Sequence, residues 1–219
     1  MKFNQFFQYS FSILFLFGSH LIYSQETNLR SEFDFSEIDF ANDTSVSLTG
    51  EWEFYWDTLL EPDGSSPNYS LEYLPDFWKN YGVNEYSATG YATFKTRVKL
   101  SRERPILAFQ LGDIHNSYNL YVNDKLVRSV GIVTKSIEGS VPKWVPQFVV
   151  LDDTSEILEI TLQVSNFHHR NGGVQHAIVL GNIDYLLSVK ESISLADLLR
   201  GGSCMVIGLF FFGMYFFYK

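Results

Sequence analysis

The chain has 219 residues, of which 46% are hydrophobic and 17% aromatic, with 16 basic and 25 acidic side chains for a net charge of −9. The only basic residues in its two apolar ends are Lys2 and Lys219, leaving 14 basic against 25 acidic residues, a net of −11, for the part between them. A surface of that sign has no electrostatic footprint for DNA or RNA, which excludes nucleic acid as a partner. The one cysteine, Cys204, lies in the C-terminal apolar end, so the rest of the chain must be held by its core without a disulfide.

Residues 1–24 carry one early cation, Lys2, a hydrophobic centre from Phe11 to Phe17, and a small residue, Ser24, before polar Gln25. This is the layout of a secretory signal peptide, with an apolar centre too short for a comfortable membrane span. Residues 25–45 read as a polar, acidic N-terminal arm with scattered phenylalanines. Strand signals follow in quick succession. Trp52, Phe54 and Trp56 alternate with Glu51, Glu53 and Tyr55, Tyr91–Leu100 alternates likewise, and so does Glu156–Val164. Such period-two alternation predicts a sheet with one buried face and one wet face. Shorter strands are predicted over Pro105–Leu111, Tyr118–Val122, Leu126–Val133, Val145–Leu151 and Gln175–Leu180. No amphipathic helix long enough for a βαβ crossover lies among them. The fold class is therefore all-β: an antiparallel β-sandwich or jelly roll of about eight strands over residues 46–181.

Helical spacing begins only after this domain. Ile183, Leu186, Leu187, Ile193, Leu195 and Leu198 recur at three- and four-residue intervals, and Asn182 is a suitable cap. A juxtamembrane helix is expected over 182–200 and a transmembrane helix over 201–218, a stretch without a charged side chain. The expected location is the inner membrane of a bacterium, with residues 25–200 outside the cytoplasm.

Three segments in order carry a resemblance: Leu48 to Trp56, Leu74-Pro75-Asp76-Phe77-Trp78, and Gly90 to Phe94. Together they are similar to the opening of the galactose-binding-like jelly roll of family 2 glycoside hydrolases. Tyr118 to Asp124 resembles that family's strand ending in a "V-N-G" turn, with Asp124 where glycine is usual. Val164 to Gly173, followed by Leu180-Gly181 and the apolar helix, resembles the extracellular domain and first membrane helix of bacterial seven-transmembrane receptors with diverse intracellular signalling modules. The resemblance implies a ligand-sensing domain that binds a small polar or carbohydrate-like ligand and signals through the membrane. The resemblance implies that the helix over 201–218 is the first of a set, expected here as a truncated one, whether by a premature stop, a split gene or a deliberately short relative.

No enzyme chemistry is expected. No carboxylate pair is marked out by spacing, the catalytic barrel of family 2 hydrolases is absent, and no serine sits in a Gly-x-Ser-x-Gly elbow. No cofactor is expected, and adjacent His168 and His169 would point to opposite faces of a strand, so no metal is expected either. Two readings of His168-His169-Arg170 stay open: a polar loop whose turn is made by Gly172-Gly173, or a ligand rim. In the second, Arg170 and the imidazoles bond hydroxyl or carboxylate groups while a tryptophan stacks on a sugar ring. Trp78, Trp144, His115 and Asn116 complete the candidate rim, and the residues leave room for a homodimer. The alternative function is a membrane-anchored protein-interaction module that takes no small ligand.

Overall fold

The computed structural model describes residues 31–42, 44–61, 63, 68–82, 86–112, 114, 116–143 and 147–218. The expected signal peptide, the start of the arm, His115 and Trp144 lie outside them. The first strands are β1 (Glu32–Phe35), β2 (Ser45–Ser47), β3 (Gly50–Trp56), β4 (Ser70–Leu74) and β5 (Asp76–Phe77). The long β6 (Gly90–Leu100), then β7 (Leu107–Leu111), β8 (Ser117–Val122), β9 (Lys125–Val130) and β10 (Gln147–Val150) follow. The last are β11 (Ile157–Asn166), β12 (Gly173–Val174) and β13 (Val179–Asn182), before a single helix α1 (Ile183–Phe217). All eight expected strands are present. The additional ones, β1, β2, β4, β5 and β12, have two to five residues, too few for an alternation to show.

The larger sheet runs β4-β3-β6-β11-β8-β9, and the smaller runs β10-β7-β13-β2. Pairing is antiparallel throughout except for β1, which lies parallel to the C-terminal half of β6. The expected arm is thus partly a strand of the larger sheet. Across that sheet, Phe54, Phe94, Leu162 and Leu120 stand in one register row, and each is at most 1% exposed. From the smaller sheet Leu107, Phe109, Leu111, Val149 and Leu180 close the core from the other side.

The outer face of the larger sheet is not uniformly wet. Glu53, Tyr55, Thr93, Thr161 and Gln163 are buried there. The cause is the chain leaving β3, which folds back over the sheet and is held by side-chain bonds. The Leu60 N–H donates to Thr93 Oγ1 (3.0 Å), Thr93 Oγ1 donates to Thr58 O (2.8 Å), and Gln163 Nε2 donates to Leu60 O (2.8 Å). Burying Glu53, Tyr55, Thr93 and Gln163 is tolerated because each has a partner; Tyr55 Oη donates to Glu53 Oε2 (2.6 Å).

One helix replaces the two expected. Asn182 caps it, its Oδ1 accepting the Asp184 N–H (2.9 Å), and the Ile183 N–H donates to Ile106 O (3.2 Å). Gly201-Gly202 does not interrupt it, although each glycine costs up to about 1 kcal/mol against alanine in a helix. Ser203 Oγ reaches back across the pair to Leu199 O (2.8 Å), and Arg200 is paired with Asp197 (2.6 Å). The helix is long and apolar enough to cross a membrane, and its 35 residues extend for about 52 Å at 1.5 Å each.

Truncating the centre of the register row tests the core. Phe94→Ala should lower unfolding stability by about 3–5 kcal/mol, read by denaturant titration. A second expectation concerns alkaline pH. Burial pushes the Tyr118 hydroxyl up to about 12 and raises Tyr81 as well. The unfolded phenols ionise near 10. Their contribution is therefore whole below pH 10 and lost as pH climbs from there toward 12. The melting temperature should fall across that window, and Tyr118→Phe should flatten the fall.

Candidate functional site

The candidate rim lies at the end of the sandwich where β6 begins and β11 ends. Asn166, the last residue of β11, is buried and organises the loop that follows. Its Nδ2 donates to His169 O (2.7 Å) and to Ala88 O (2.9 Å), and its Oδ1 accepts the His169 N–H (2.9 Å). Every hydrogen-bonding position of the amide except one lone pair is thereby used. His169 Nδ1 sits 3.0 Å from Asn171 O and 3.3 Å from Asn171 N, so its ring closes the same turn. His168 Nε2 donates to Ser140 O (3.1 Å), tying this loop to the 131–141 hairpin. Lys79 Nζ donates to Asn171 Oδ1 (2.8 Å) from the other side.

Trp78 is placed differently from expectation. It is fully buried, with its ring 5.1 Å from that of Trp56, so it offers no open face for stacking. Its backbone N–H donates to Gly172 O (3.1 Å) and its indole packs against Gly172. A Cβ on Gly172 would stand 2.0 Å from the indole, which explains why this turn needs glycine. Gly173 (φ +121°) adopts backbone angles that side-chain-bearing residues rarely take, and it pairs with Phe77 through β12 and β5. Asn116 is buried as well, with Nδ2 donating to Gly173 O (3.1 Å). Its Oδ1, the Trp78 Nε1 and the Gln175 Nε2 have no hydrogen-bond partner among the described residues.

Of the seven expected rim residues, the structure thus brings His168, His169, Arg170, Asn116 and Trp78 around one turn. His168 and Arg170 are exposed, His169 is half-buried, and the other two support the turn from below. Asn166 was missed as the organiser because a strand-end asparagine has no motif of its own. Also missed was the outer face of the smaller sheet. There Gln110, Phe148 and Val179 share one register row, and with His176 and Gly112 they line an open cavity of about 420 Å³.

The opposite end, where α1 starts, is built on charge. Asp153 accepts the Ser155 N–H (2.8 Å) and a bond from Asn123 Nδ2 (2.7 Å), and these bonds hold its carboxyl below the usual carboxylate range. Arg104 donates to the carbonyls of Ser101, Asp153 and Ser155 (2.6–3.2 Å). These groups brace two loops. Among the described residues, no three His, Cys, Asp or Glu side chains come together as a metal site.

No protein-family model matches the chain, and no curated protein matches it. Solved structures do. A β-glucuronidase from Faecalibacterium prausnitzii superposes with a TM-score of 0.50 at 11% identity, over 63% of this chain and 31% of that one. A β-glucuronidase from Ruminococcus gnavus gives 0.48 at 12% identity, over 63% and 28%. A family 2 β-galacturonidase from Eisenbergiella tayi, bound to galacturonate, gives 0.44 at 17% identity, over 64% and 24%. The chain spans less than a third of the length of these enzymes, and at such identities what is shared is the fold of a β domain.

The turn itself can be tested. Gly172→Ala should cost about 1–3 kcal/mol or more, because the methyl group has to displace a buried indole. The measurement is a denaturation curve; unchanged stability would show that the indole does not rest on this glycine.

Proposed function

We propose that this chain is a membrane-anchored, extracytoplasmic sensing domain that binds a small polar or carbohydrate-like ligand without catalysis and passes the event into the membrane through α1. The observation that carries the reading is the continuity of α1: it is capped and packed on the sandwich at one end and apolar at the other, with no flexible linker between. A ligand-linked change at the sandwich therefore has a rigid element to act on.

The ligand class is supported by the sandwich fold, which is similar to that of a domain in a β-glucuronidase. It is supported too by the exposed pair His168 and Arg170 on a braced loop. Arg170 offers a planar fork of donors to a carboxylate or vicinal hydroxyls, and His168 stands beside it. The apolar N-terminal stretch favours export, with Lys219 on the cytoplasmic side. The second reading, an interaction module, is favoured by Ile132, Ile137 and Val141, each 50–55% exposed on the 131–141 hairpin.

The test is a thermal-shift screen of the full chain in lipid nanodiscs against neutral hexoses and hexuronic acids. A compound at a hundredfold over its Kd should add about 2.7 kcal/mol of stability. Arg170→Ala should weaken rim binding at least tenfold without changing the unliganded melting temperature. A screen in which nothing shifts the melting temperature hands the function to the interaction-module reading.

A further inference from the structure

A second ligand seat lies outside the rim, on the outer face of the smaller sheet. The alternation of its strands defines two parallel rows on that face. The upper row is Ser47, Val179, Gln110 and Phe148; the lower is Ser45, Gly181, Ala108 and Val150. Gly181 and Ala108 point away from the sandwich core and are nonetheless buried, Ala108 completely. α1 contacts β13 and β7 beside them, and Leu186 of its first turn is buried. Val179, Gln110 and Phe148 of the upper row are half-buried and line the 420 Å³ cavity, and Gly112 and His176 meet in the same lining. That meeting is close: a Cβ on Gly112 would stand 2.5 Å from the His176 Cβ.

The chemistry of this notch is mixed. Phe148 supplies an aromatic wall, Gln110 an amide that both donates and accepts, and His176 an exposed imidazole. A volume of this size falls within the range of small-molecule sites, about 300–1,000 Å³. A flat ring with weakly polarised C–H bonds on one face and hydroxyls on its edge matches the set. The C–H face meets the negative face of the phenyl ring, and the hydroxyls meet the amide and imidazole.

Phe148 is also the contact that links the notch to the membrane helix. Lys190 Nζ of α1 lies 5.0 Å from the centre of its ring, a cation–π contact. The Phe148 carbonyl is meanwhile held by Arg128 Nη2 of β9 (3.4 Å), so the backbone under the ring is tied to the larger sheet. A ligand that shifts the ring changes the seat of the Lys190 ammonium and, with it, the second turn of α1.

We propose that the notch formed by Gln110, Phe148, His176 and Val179 binds a monosaccharide-sized, hydroxylated ring, and that Phe148 relays its occupancy to α1 through Lys190. The relay clause rests on the sensing reading above; the binding clause does not.

Hydrogen exchange followed by mass spectrometry on the full chain in nanodiscs tests both clauses. The probes are D-glucose, D-galactose and D-glucuronate at millimolar concentration. The experiment is run on Arg170→Ala, so that binding at the rim is weakened at least tenfold. At least one probe should slow exchange severalfold in residues 107–112, 147–150 and 183–190. Phe148→Ala and Gln110→Ala should each raise the half-saturating concentration about tenfold or more. Gln110→Ala, a half-exposed position, guards against a folding defect in the aromatic variant. Lys190→Met should keep protection of 107–112 but lose that of 183–190; protection of both would overturn the relay. Protection confined to 166–173 in the unmutated chain overturns the notch and leaves the sensing reading standing. No protection by any probe in either form overturns the notch and the carbohydrate reading together.

Discussion

The pairing of β6 with β11 is the constraint from which the rest of the molecule hangs. These are the two longest strands, and they run in unbroken antiparallel register from Gly90 opposite Asn166 to Lys99 opposite Ile157. Their inner faces carry Ala92, Phe94, Val98, Leu158, Ile160, Leu162 and Val164, all without exposure. A hydrophobic stripe of that length, fixed on both strands by the period of two, leaves one register that buries everything; a slip by one residue would turn it all outward. β3 and β1 attach to the free side of β6, and β8 attaches to the free side of β11. The smaller sheet then has one apolar surface to close against.

The candidate rim inherits its geometry from the end of that pair. Asn166 terminates β11 and uses its amide to hold the next three residues, so the loop's shape starts from a rigid strand end rather than from the loop itself. Trp78 acts from below in the same way, its indole packed against Gly172. This division of labour, buried residues that position and exposed residues that are free to bind, is common where loops carry function on a stiff scaffold. The buried Asn116 and Trp78 belong to the first kind; Arg170 belongs to the second.

Packing of α1 on the smaller sheet is what joins this scaffold to the apolar span. Gly181 and Ala108 are buried register partners on that face, and a Cβ on Gly181 would stand 2.8 Å from the Ser45 Cβ of β2. The two small residues, on different strands 73 positions apart, are therefore one feature in space. Isolated surface ion pairs contribute little by comparison. Arg102 and Glu156, both well exposed and 4.0 Å apart, belong to the class worth at most about 1 kcal/mol.

By itself the sequence determined the class of fold, the eight principal strands, the cap at Asn182 and the apolar C-terminal helix. These are local signals: alternation, turn residues and unbroken hydrophobicity are written in neighbouring positions. Tertiary structure alone decided which aromatic residues face a ligand and which face the core. Trp78 follows a proline turn that suits a surface loop, yet the indole is buried because Gly172, 94 positions later, leaves room for it. It also decided that the outer face of the larger sheet is partly covered, since the 58–60 segment returns across strands that it does not adjoin in sequence. The notch beside α1 was illegible for the same reason. Gln110, Phe148, His176 and Lys190 come from two strands, a loop and a helix, and nothing in the order of residues shows that a register row and the start of α1 bring them together. Contacts between distant positions depend on register and packing, which arise only once the sheets have closed on each other.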